Sequence, residues 1–177
     1  MKLLDVAAGA FNGAVIAAMV AVGVVGVTEA RAEHRLASIS EEERECLARN
    51  VYFEARSETI QGQVAVAWVT LNRMESPRFP NSICGVVYQA RTDSRGNPIR
   101  HQCQFSWYCD GRSDRIRNQR AWEDAQLIAD VVLLDWARAK NSPVQNATYY
   151  HADYVNPSWA RDFTRVAQVD THIFYEH

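Results

Sequence analysis

The longest apolar stretch of the chain lies at its N-terminus. Residues 6–27 contain no charged side chain, and about 22 residues at roughly 1.5 Å of rise each are enough to cross a bilayer core. Ala30, Arg31 and Ala32 follow with the small-x-small form of a signal-peptidase site. The pattern predicts a signal peptide or signal anchor over residues 1–32, with cleavage and retention both open, then a linker over 33–42 and a folded domain over 43–177.

The helical pattern of the folded domain begins at a capping signal. Ser40 followed by Glu43 has the form of a capping box, which predicts a helix start there. Leu47 and Val51 recur at four-residue spacing and mark the buried stripe of this helix. Glu54 falls three residues after Val51, so the sequence places a carboxylate on or beside an apolar stripe.

Three further helices are predicted by apolar positions at helical spacing: residues 59–74, a short helix around 83–88, and a long helix from about 122 to 140. The first two predicted helices of the domain flank Glu54 and Glu58. Both carboxylates are therefore expected near a helix–helix junction.

Strand-like alternation appears only late in the chain, at 147–150, 164–169 and 172–175. It predicts a small antiparallel sheet. Before it, the polar stretch 91–100 is expected to be an exposed loop, and 104–107 a short extended piece that turns at Asp110 and Gly111. Helices first and a small sheet late make α+β the expected fold class.

Composition and charge narrow the class of protein. Of 177 residues, 47% are hydrophobic and 23% charged, which fits one globular domain behind a leader. The formal net charge of -2 argues against a nucleic-acid binder, which needs a basic surface to neutralise phosphates.

The four cysteines are an even number, which suits disulfides in an exported chain. Cys103 and Cys109 lie six residues apart around the expected turn and are the first candidate pair. Cys46 and Cys84 can pair only if the fold brings them together. Free buried thiols remain an alternative, and the zinc alternative finds no C-x-x-C or H-x-x-x-H spacing.

Glu54 is the candidate for acid–base chemistry. Partial burial of a carboxyl group raises its pKa toward the range that is useful to a general acid. Its alternative role is structural, as an ion-pair partner of Arg56 or Arg73. Neighbouring aromatic residues that can dry the site or carry a sugar ring are Tyr52, Phe53 and Trp68.

Several short motifs occur in order along the domain. They are Ala-Arg-Asn-Val-Tyr-Phe-Glu-Ala-Arg-Ser-Glu at 48–58, Gly-Gln-Val-Ala-Val-Ala at 62–67, Leu-Asn-Arg at 71–73, Phe-Pro-Asn at 79–81, Gly-Val-Val-Tyr-Gln at 85–89 and Gln-Phe-Ser at 104–106. Looser matches follow at 149–150, 156–157 and 172–174. In this order the motifs resemble the SleB family of cell wall hydrolases, which includes the spore cortex-lytic enzymes, over about residues 43–175.

The resemblance implies a lysozyme-like or lytic-transglycosylase-like fold, action on the glycan strands of peptidoglycan, and no cofactor. It also implies that Glu54, the first Glu of the E-A-R-x-E motif, is the catalytic acid. Two features depart from the family pattern: Ser57 stands where Gly is usual, and Cys103 and Cys109 bracket the Gln-Phe-Ser segment. Specificity for the spore cortex does not carry over.

Two mechanisms are compatible with an acid at Glu54. A conventional glycosidase adds a second carboxylate, and Glu58 is the sequence-local candidate, one helical turn away if the helix continues. A lytic transglycosylase needs one carboxylate, which protonates the leaving oxygen and then removes a proton from the muramyl 6-hydroxyl. We favour the second mechanism; in the alternative, Glu58 orients Arg73 or caps the next helix.

The matched motifs also contain candidate substrate-binding residues. Gln63, Asn72, Gln104 and Ser106 are polar positions that can bond sugar or N-acetyl groups. Trp107 and Tyr150 can stack on sugar rings, while packing roles for both, and a helix C-cap role for Asn72, are equally open.

Two other functions are considered. An N-acetylmuramoyl-L-alanine amidase would normally require a metal, and the five histidines, at 34, 101, 151, 172 and 177, lack ligand spacing. A non-catalytic wall-binding protein would not need Glu54. The expected partners are peptidoglycan strands and, through the N-terminal segment, a membrane; the expected location is the cell envelope, with no nucleic acid and no obligate protein partner.

Overall fold

The helices of the domain lie close to where the sequence predicts them. The computed structural model describes residues 28–177, so the predicted leader at 6–27 lies outside the described residues. The α-helices that follow the helical stretch 28–37 are α1 (Glu41–Ala55), α2 (Ile60–Glu75), α3 (Ile83–Val87) and α4 (Gln119–Ala137). None of the helices in the described part is long and apolar enough to cross a membrane.

The predicted cap at Ser40 is present, but the capping box is only half formed. The Ser40 hydroxyl accepts a hydrogen bond from the Glu43 backbone N–H at 3.1 Å. The Glu43 carboxylate turns instead to α3, where it accepts from the N–H groups of Ile83 and Cys84. Glu43 thus satisfies donors at the start of α3 and fixes that helix against α1.

The predicted C-terminal sheet is confirmed. Its strands are β3 (Tyr149–Ala152), β4 (Thr164–Val169) and β5 (His172–Glu176), antiparallel, in the order β3-β5-β4. A short 3-10 helix at Ser158–Arg161 lies between β3 and β4. Helices packed on one small antiparallel sheet confirm the α+β fold class.

The expectation of an irregular loop at 91–100 is wrong. This stretch is exposed, as expected, but it forms an antiparallel hairpin of β1 (Ala90–Thr92) and β2 (Pro98–Cys103). The Asp93 carboxylate closes its turn by accepting from the N–H groups of Arg95 and Asn97. Both faces of the hairpin are largely exposed, so no apolar alternation marks its strands in the sequence.

The expectation of an extended piece at 104–107 is also wrong beyond Phe105. Residues Ser106–Cys109 form a 3-10 helix, and the chain turns after it at Gly111, whose φ is 83°. The Cys103–Cys109 disulfide joins the end of β2 to the end of this 3-10 helix. Six residues in an extended conformation would separate the two cysteines by about 20 Å, whereas their Cα atoms lie 6.1 Å apart, so the chain between them cannot stay extended.

The core lies between α1, α2, α3 and α4 and reaches one face of the sheet. Its fully buried side chains include Leu47, Val51, Leu71, Leu133 and Phe174. A second disulfide joins Cys46 of α1 to Cys84 of α3. The packing of α1 against α3 thus brings together the two cysteines whose pairing the sequence left open.

Candidate active site

Glu54 lies in the last turn of α1, which ends at Ala55. Its side chain is half-buried, and its Oε2 atom accepts a hydrogen bond from the Tyr150 hydroxyl of β3 at 2.8 Å. The register of β3 on β5 pairs Tyr150 with buried Phe174, which anchors the strand in the core. The helix end and the sheet therefore meet at this carboxyl group.

The surroundings of Glu54 raise its pKa. Burial is the largest cause, because it penalises the charged form. The hydrogen bond from Tyr150 and the positive charge of Arg73 act in the opposite direction. Burial and the neighbouring Glu54 charge raise the pKa of Tyr150 well above its usual value, so Tyr150 stays a neutral phenol that donates to Glu54.

Arg73 places a buried positive charge near Glu54 and forms no ion pair within residues 28–177. It is 4% exposed, and its Nε–H donates to the Thr148 carbonyl at 2.7 Å. Its guanidinium lies 4.8 Å from the Phe105 ring centroid. Within residues 28–177, its Nη1 atom has no hydrogen-bond partner.

The contacts of Glu54 are not those of a structural ion pair, the alternative role considered for this residue. Across the described part of the chain, Glu54 forms no ion pair with Arg56 or Arg73 at salt-bridge distance. The Arg56 guanidinium lies 5.0 Å from the Tyr52 ring centroid instead. Glu54 therefore keeps a carboxyl oxygen, Oε1, that no described residue engages.

Glu58 is not one helical turn beyond Glu54, because α1 ends before it. Its Oε1 atom accepts from the Thr171 hydroxyl at 2.8 Å. It forms no ion pair with Arg73, and the N-cap of α2 is Thr59. Glu58 therefore belongs to a contact between the α1–α2 junction and the β4–β5 turn.

Two of the predicted sugar-binding residues make internal hydrogen bonds. The Gln63 Nε2 atom donates to the Glu58 carbonyl at 3.2 Å. The Asn72 Nδ2 atom donates to the carbonyls of Gln145 and Ala147, at 2.8 and 2.9 Å, and so fixes the turn before β3. The Asn72 side chain does not cap α2.

The other predicted binding residues divide into exposed and buried ones. Gln104 and Ser106 are exposed around the start of the 3-10 helix. Trp107 is 7% exposed, stacks on Phe53 at a centroid distance of 4.6 Å, and donates from Nε1 to the Asn50 side chain at 3.0 Å. The contacts of Trp107 are therefore those of a core residue. Tyr150 donates its hydroxyl hydrogen bond to Glu54.

Of the aromatic residues expected around Glu54, Tyr52 and Trp68 are core residues, 2% and 6% exposed. The Tyr52 hydroxyl accepts from the N–H groups of Arg117 and Asn118. Phe53 is half-buried.

No group of three or more potential metal ligands occurs among residues 28–177.

Sequence analysis missed the buried polar residues behind the site. Asn50 is 0% exposed and bonds both Trp107 and Thr70. Its position among the apolar residues of α1, one turn before Glu54, was the available signal, because a buried amide requires partners. Asp170 and Thr171, in the β4–β5 turn, gave no signal of their contact with Glu58 and Thr59.

Fold and site together define a class: a lysozyme-like α+β domain with a carboxyl group of raised pKa at the end of a core helix. Comparison with protein families matches residues 57–175 to the cell wall hydrolase family. The chain belongs to this family of enzymes. The matched range begins after Glu54.

Among curated proteins, the chain resembles the spore cortex-lytic enzyme of Bacillus subtilis (strain 168), with 34% identity over 131 residues, which are 73% of this chain and 36% of that protein. It also resembles the spore cortex-lytic enzyme of Oceanobacillus iheyensis, with 32% identity over 136 residues, 76% of this chain and 42% of that protein. The chain thus spans about two fifths of the length of these relatives.

Solved structures confirm the fold. The catalytic domain of the germination-specific lytic transglycosylase SleB from Bacillus anthracis matches with a TM-score of 0.57 and 30% identity, over 78% of this chain and 98% of that one. The catalytic domain of the Bacillus cereus SleB protein matches with a TM-score of 0.54 and 30% identity, over 78% and 93%. The predicted family and lysozyme-like fold are both confirmed.

Proposed function

We propose that this protein cleaves the glycosidic bonds of peptidoglycan strands as a lytic transglycosylase, with Glu54 as its single catalytic acid and base. The observation that carries the proposal is the half-buried carboxyl group of raised pKa, held through one oxygen by a neutral phenol. The SleB domain from Bacillus anthracis, described as a lytic transglycosylase, supports it through fold and sequence.

The reaction begins with proton transfer from Glu54. Tyr150 engages Oε2, so Oε1 carries the proton and presents it to the glycosidic oxygen. The C1–O bond breaks, the proton stays on the leaving oxygen, and positive charge develops at C1 of the muramyl residue. The carboxylate that remains is stabilised by the Tyr150 hydroxyl and the nearby charge of Arg73.

The second step uses the same carboxylate as a base. It takes the proton of the muramyl 6-hydroxyl while that oxygen bonds to C1 and closes a 1,6-anhydro ring. Glu54 is then protonated again, and no water is consumed. One carboxyl group therefore completes both steps.

The environment of Glu58 favours this mechanism over one with two carboxylates. Glu58 accepts hydrogen bonds from Thr171 and is not carried on α1. The positive charge of Arg73 acts to lower the pKa of Glu54, and the Thr171 contact holds Glu58 at the β4–β5 turn.

Product chemistry tests the proposal. Purified peptidoglycan is digested by the full-length chain in ¹⁸O-labelled water, and the products are identified by mass spectrometry. We expect anhydro-muropeptides without label. Labelled reducing ends would contradict the transglycosylase mechanism and indicate hydrolysis, and release of free stem peptides would indicate an amidase instead.

We also propose that residues 1–32 direct the chain to the cell envelope, as a cleaved leader or a retained anchor. An uncharged run of this length and the function in cell wall cleavage both support export. Intact mass of the protein from the envelope fraction distinguishes cleavage near Ala32 from retention. Recovery of the full chain only from the cytoplasm would contradict export.

A further inference from the structure

An arginine-lined cleft opens beside the end of α1. It measures about 410 Å³, and its inner wall is formed by Tyr52, Phe53 and Trp107. Trp107 stacks on Phe53 and donates a hydrogen bond to Asn50, one turn before Glu54. The cleft therefore borders the last turns of α1, which carry the proposed acid, although Glu54 itself does not line it.

The rim of the cleft is more basic than the chain as a whole. It carries four arginines and two aspartates, whereas the whole chain has a formal net charge of -2. Asp110 lies 4.0 Å from Arg112, an ion pair at the exposed edge. Arg56, Arg115 and Arg117 form no ion pair with any carboxylate among residues 28–177.

The arginines are presented by a segment that is anchored to the fold. The N–H groups of Arg117 and Asn118 donate to the Tyr52 hydroxyl at 3.2 and 3.1 Å. The Asp114 carbonyl accepts from Arg49 at 3.0 Å, and the half-buried Ile116 side chain packs against the core. An anchored backbone limits the positions that these exposed guanidinium groups can reach, which reduces part of the ordering cost of binding an anion.

Guanidinium groups recognise carboxylates and phosphates through paired hydrogen bonds. If Glu54 acts on peptidoglycan, the anionic groups nearest to the scissile bond are the carboxylates of the stem peptide, which is attached to the muramyl residue. We propose that the arginine-lined cleft binds stem-peptide carboxylates of the strand held at Glu54. This proposal rests on the proposed function and adds a peptide subsite to it.

The test compares two double variants of the full-length chain. In R115Q/R117Q the exposed side chains lose their charge while the backbone hydrogen bonds to Tyr52 remain. The matched control, R120Q/R161Q, removes the charge of two exposed arginines that lie outside the cleft. The substrates are peptidoglycan strands freed of phosphate polymers, either with their stem peptides or stripped of them by an amidase.

We expect kcat/KM of R115Q/R117Q to fall about fivefold on stem-bearing strands, in keeping with two exposed charge contacts. On stripped strands it should equal the parent, and the control should match the parent on both. Equal rates for R115Q/R117Q and parent on stem-bearing strands would overturn the proposal. So would an equal loss on both substrates, which would indicate a glycan contact or a general defect.

A binding measurement separates this proposal from the proposed function. Titration of the full chain with a free stem pentapeptide should show binding that weakens in R115Q/R117Q and with added salt. If the parent cleaves neither strand but binds the pentapeptide in this way, the proposed function fails while the peptide subsite stands. If the titration shows no binding, or if the variant is impaired only on walls that retain phosphate polymers, the peptide subsite is overturned.

Discussion

At the scale of single residues, the chemistry of Glu54 depends on two opposing influences. Burial raises its pKa, and the Tyr150 hydroxyl and the Arg73 charge limit that rise. A group that donates and then accepts a proton needs both protonation states within reach at the working pH. In the proposed mechanism, Tyr150 and Arg73 would therefore assist the second step, in which Glu54 acts as a base, and burial would assist the first.

Replacing Tyr150 with Phe removes the hydrogen bond that stabilises ionised Glu54. The pKa of Glu54 should rise further, so the alkaline limb of the pH–rate profile should move to higher pH. We expect kcat to fall about tenfold, the equivalent of one hydrogen bond to a charged group. Tyr149→Phe, on the same strand and without a hydrogen bond to Glu54, is the control. An unmoved alkaline limb in the Tyr150 variant would be inconsistent with this role.

Glu54→Gln should stabilise the fold at neutral pH. Since the folded-state pKa of Glu54 is raised, the parent is stabilised by protonation at low pH and loses that stability as the pH rises through the folded-state value. A neutral amide avoids the loss and can still accept from Tyr150. We expect a gain of about 1 kcal/mol in urea unfolding at neutral pH that shrinks in acid. The exposed Glu123→Gln variant should show no such trend, and a gain that grows in acid would refute the burial argument.

At the scale of elements, the site depends on a contact between the α1–α2 junction and the β4–β5 turn. Asp170 accepts from the N–H and the hydroxyl of Thr59 at 3.0 and 2.6 Å, and Thr171 donates to Glu58. Because β5 pairs with β3, this contact also fixes the strand that carries Tyr150. The turn thus helps to keep the Tyr150 hydroxyl against Glu54.

Gly62→Ala should disrupt this contact. A Cβ atom at Gly62 would overlap the Asp170 carboxylate and lie 2.8 Å from Glu58 Cβ. We expect a loss of about 2 kcal/mol in urea unfolding and a several-fold fall in kcat. Gln61→Ala, an exposed neighbour on the same helix, is the control and should be neutral. A fully stable and active Gly62 variant would contradict the importance of the contact.

The sequence predicted the elements better than their contacts. Helical spacing located α1, α2, α3 and α4, and the Ser40 cap marked the start of α1, because an amphipathic stripe and a Ser cap are local signals. The β1–β2 hairpin was missed because it is exposed on both sides. Thr59 and Asp170 are separated by 111 residues, and nothing local to either residue reveals their hydrogen bond.

For the site, too, the sequence predicted the candidate residues better than the contacts between them. Glu54 was identified as a candidate because it falls on or beside an apolar stripe, whereas the hydrogen bond from Tyr150, for which stacking and packing roles were considered, was not predicted. The predicted role for Glu58 assumed a longer helix, and α1 ends at Ala55. Residue type and spacing identify a group that can do chemistry, whereas tertiary contacts determine which partner it meets.

At the scale of the whole molecule, two disulfides stabilise very different loops. Cys46–Cys84 spans 38 residues and joins α1 to α3, whereas Cys103–Cys109 spans 6 residues within one turn. Glu43 bonds the same end of α3, so the longer loop is held at two neighbouring points. Both bonds suit the oxidising envelope in which the enzyme is proposed to act.

Removing the longer disulfide should cost more stability than removing the shorter one. By loop entropy, C46A/C84A should lose about 4 kcal/mol and C103A/C109A about 2 kcal/mol in urea unfolding. The parent unfolded with its disulfides reduced provides the common reference. A larger loss for C103A/C109A would show that the local turn, rather than the α1–α3 connection, governs the stability of the domain.

The central claim is that Glu54 alone performs the acid and base steps, and paired amide variants test it most directly. The rate of anhydro-muropeptide release from purified peptidoglycan is measured for the full-length parent, Glu54→Gln and Glu58→Gln. We expect Glu54→Gln to lose about a thousandfold in rate, as for removal of a general acid, and Glu58→Gln to stay within about fivefold, as for loss of a hydrogen bond at the Thr171 contact. An active Glu54→Gln, or an equal loss in Glu58→Gln, would contradict the single-carboxylate mechanism.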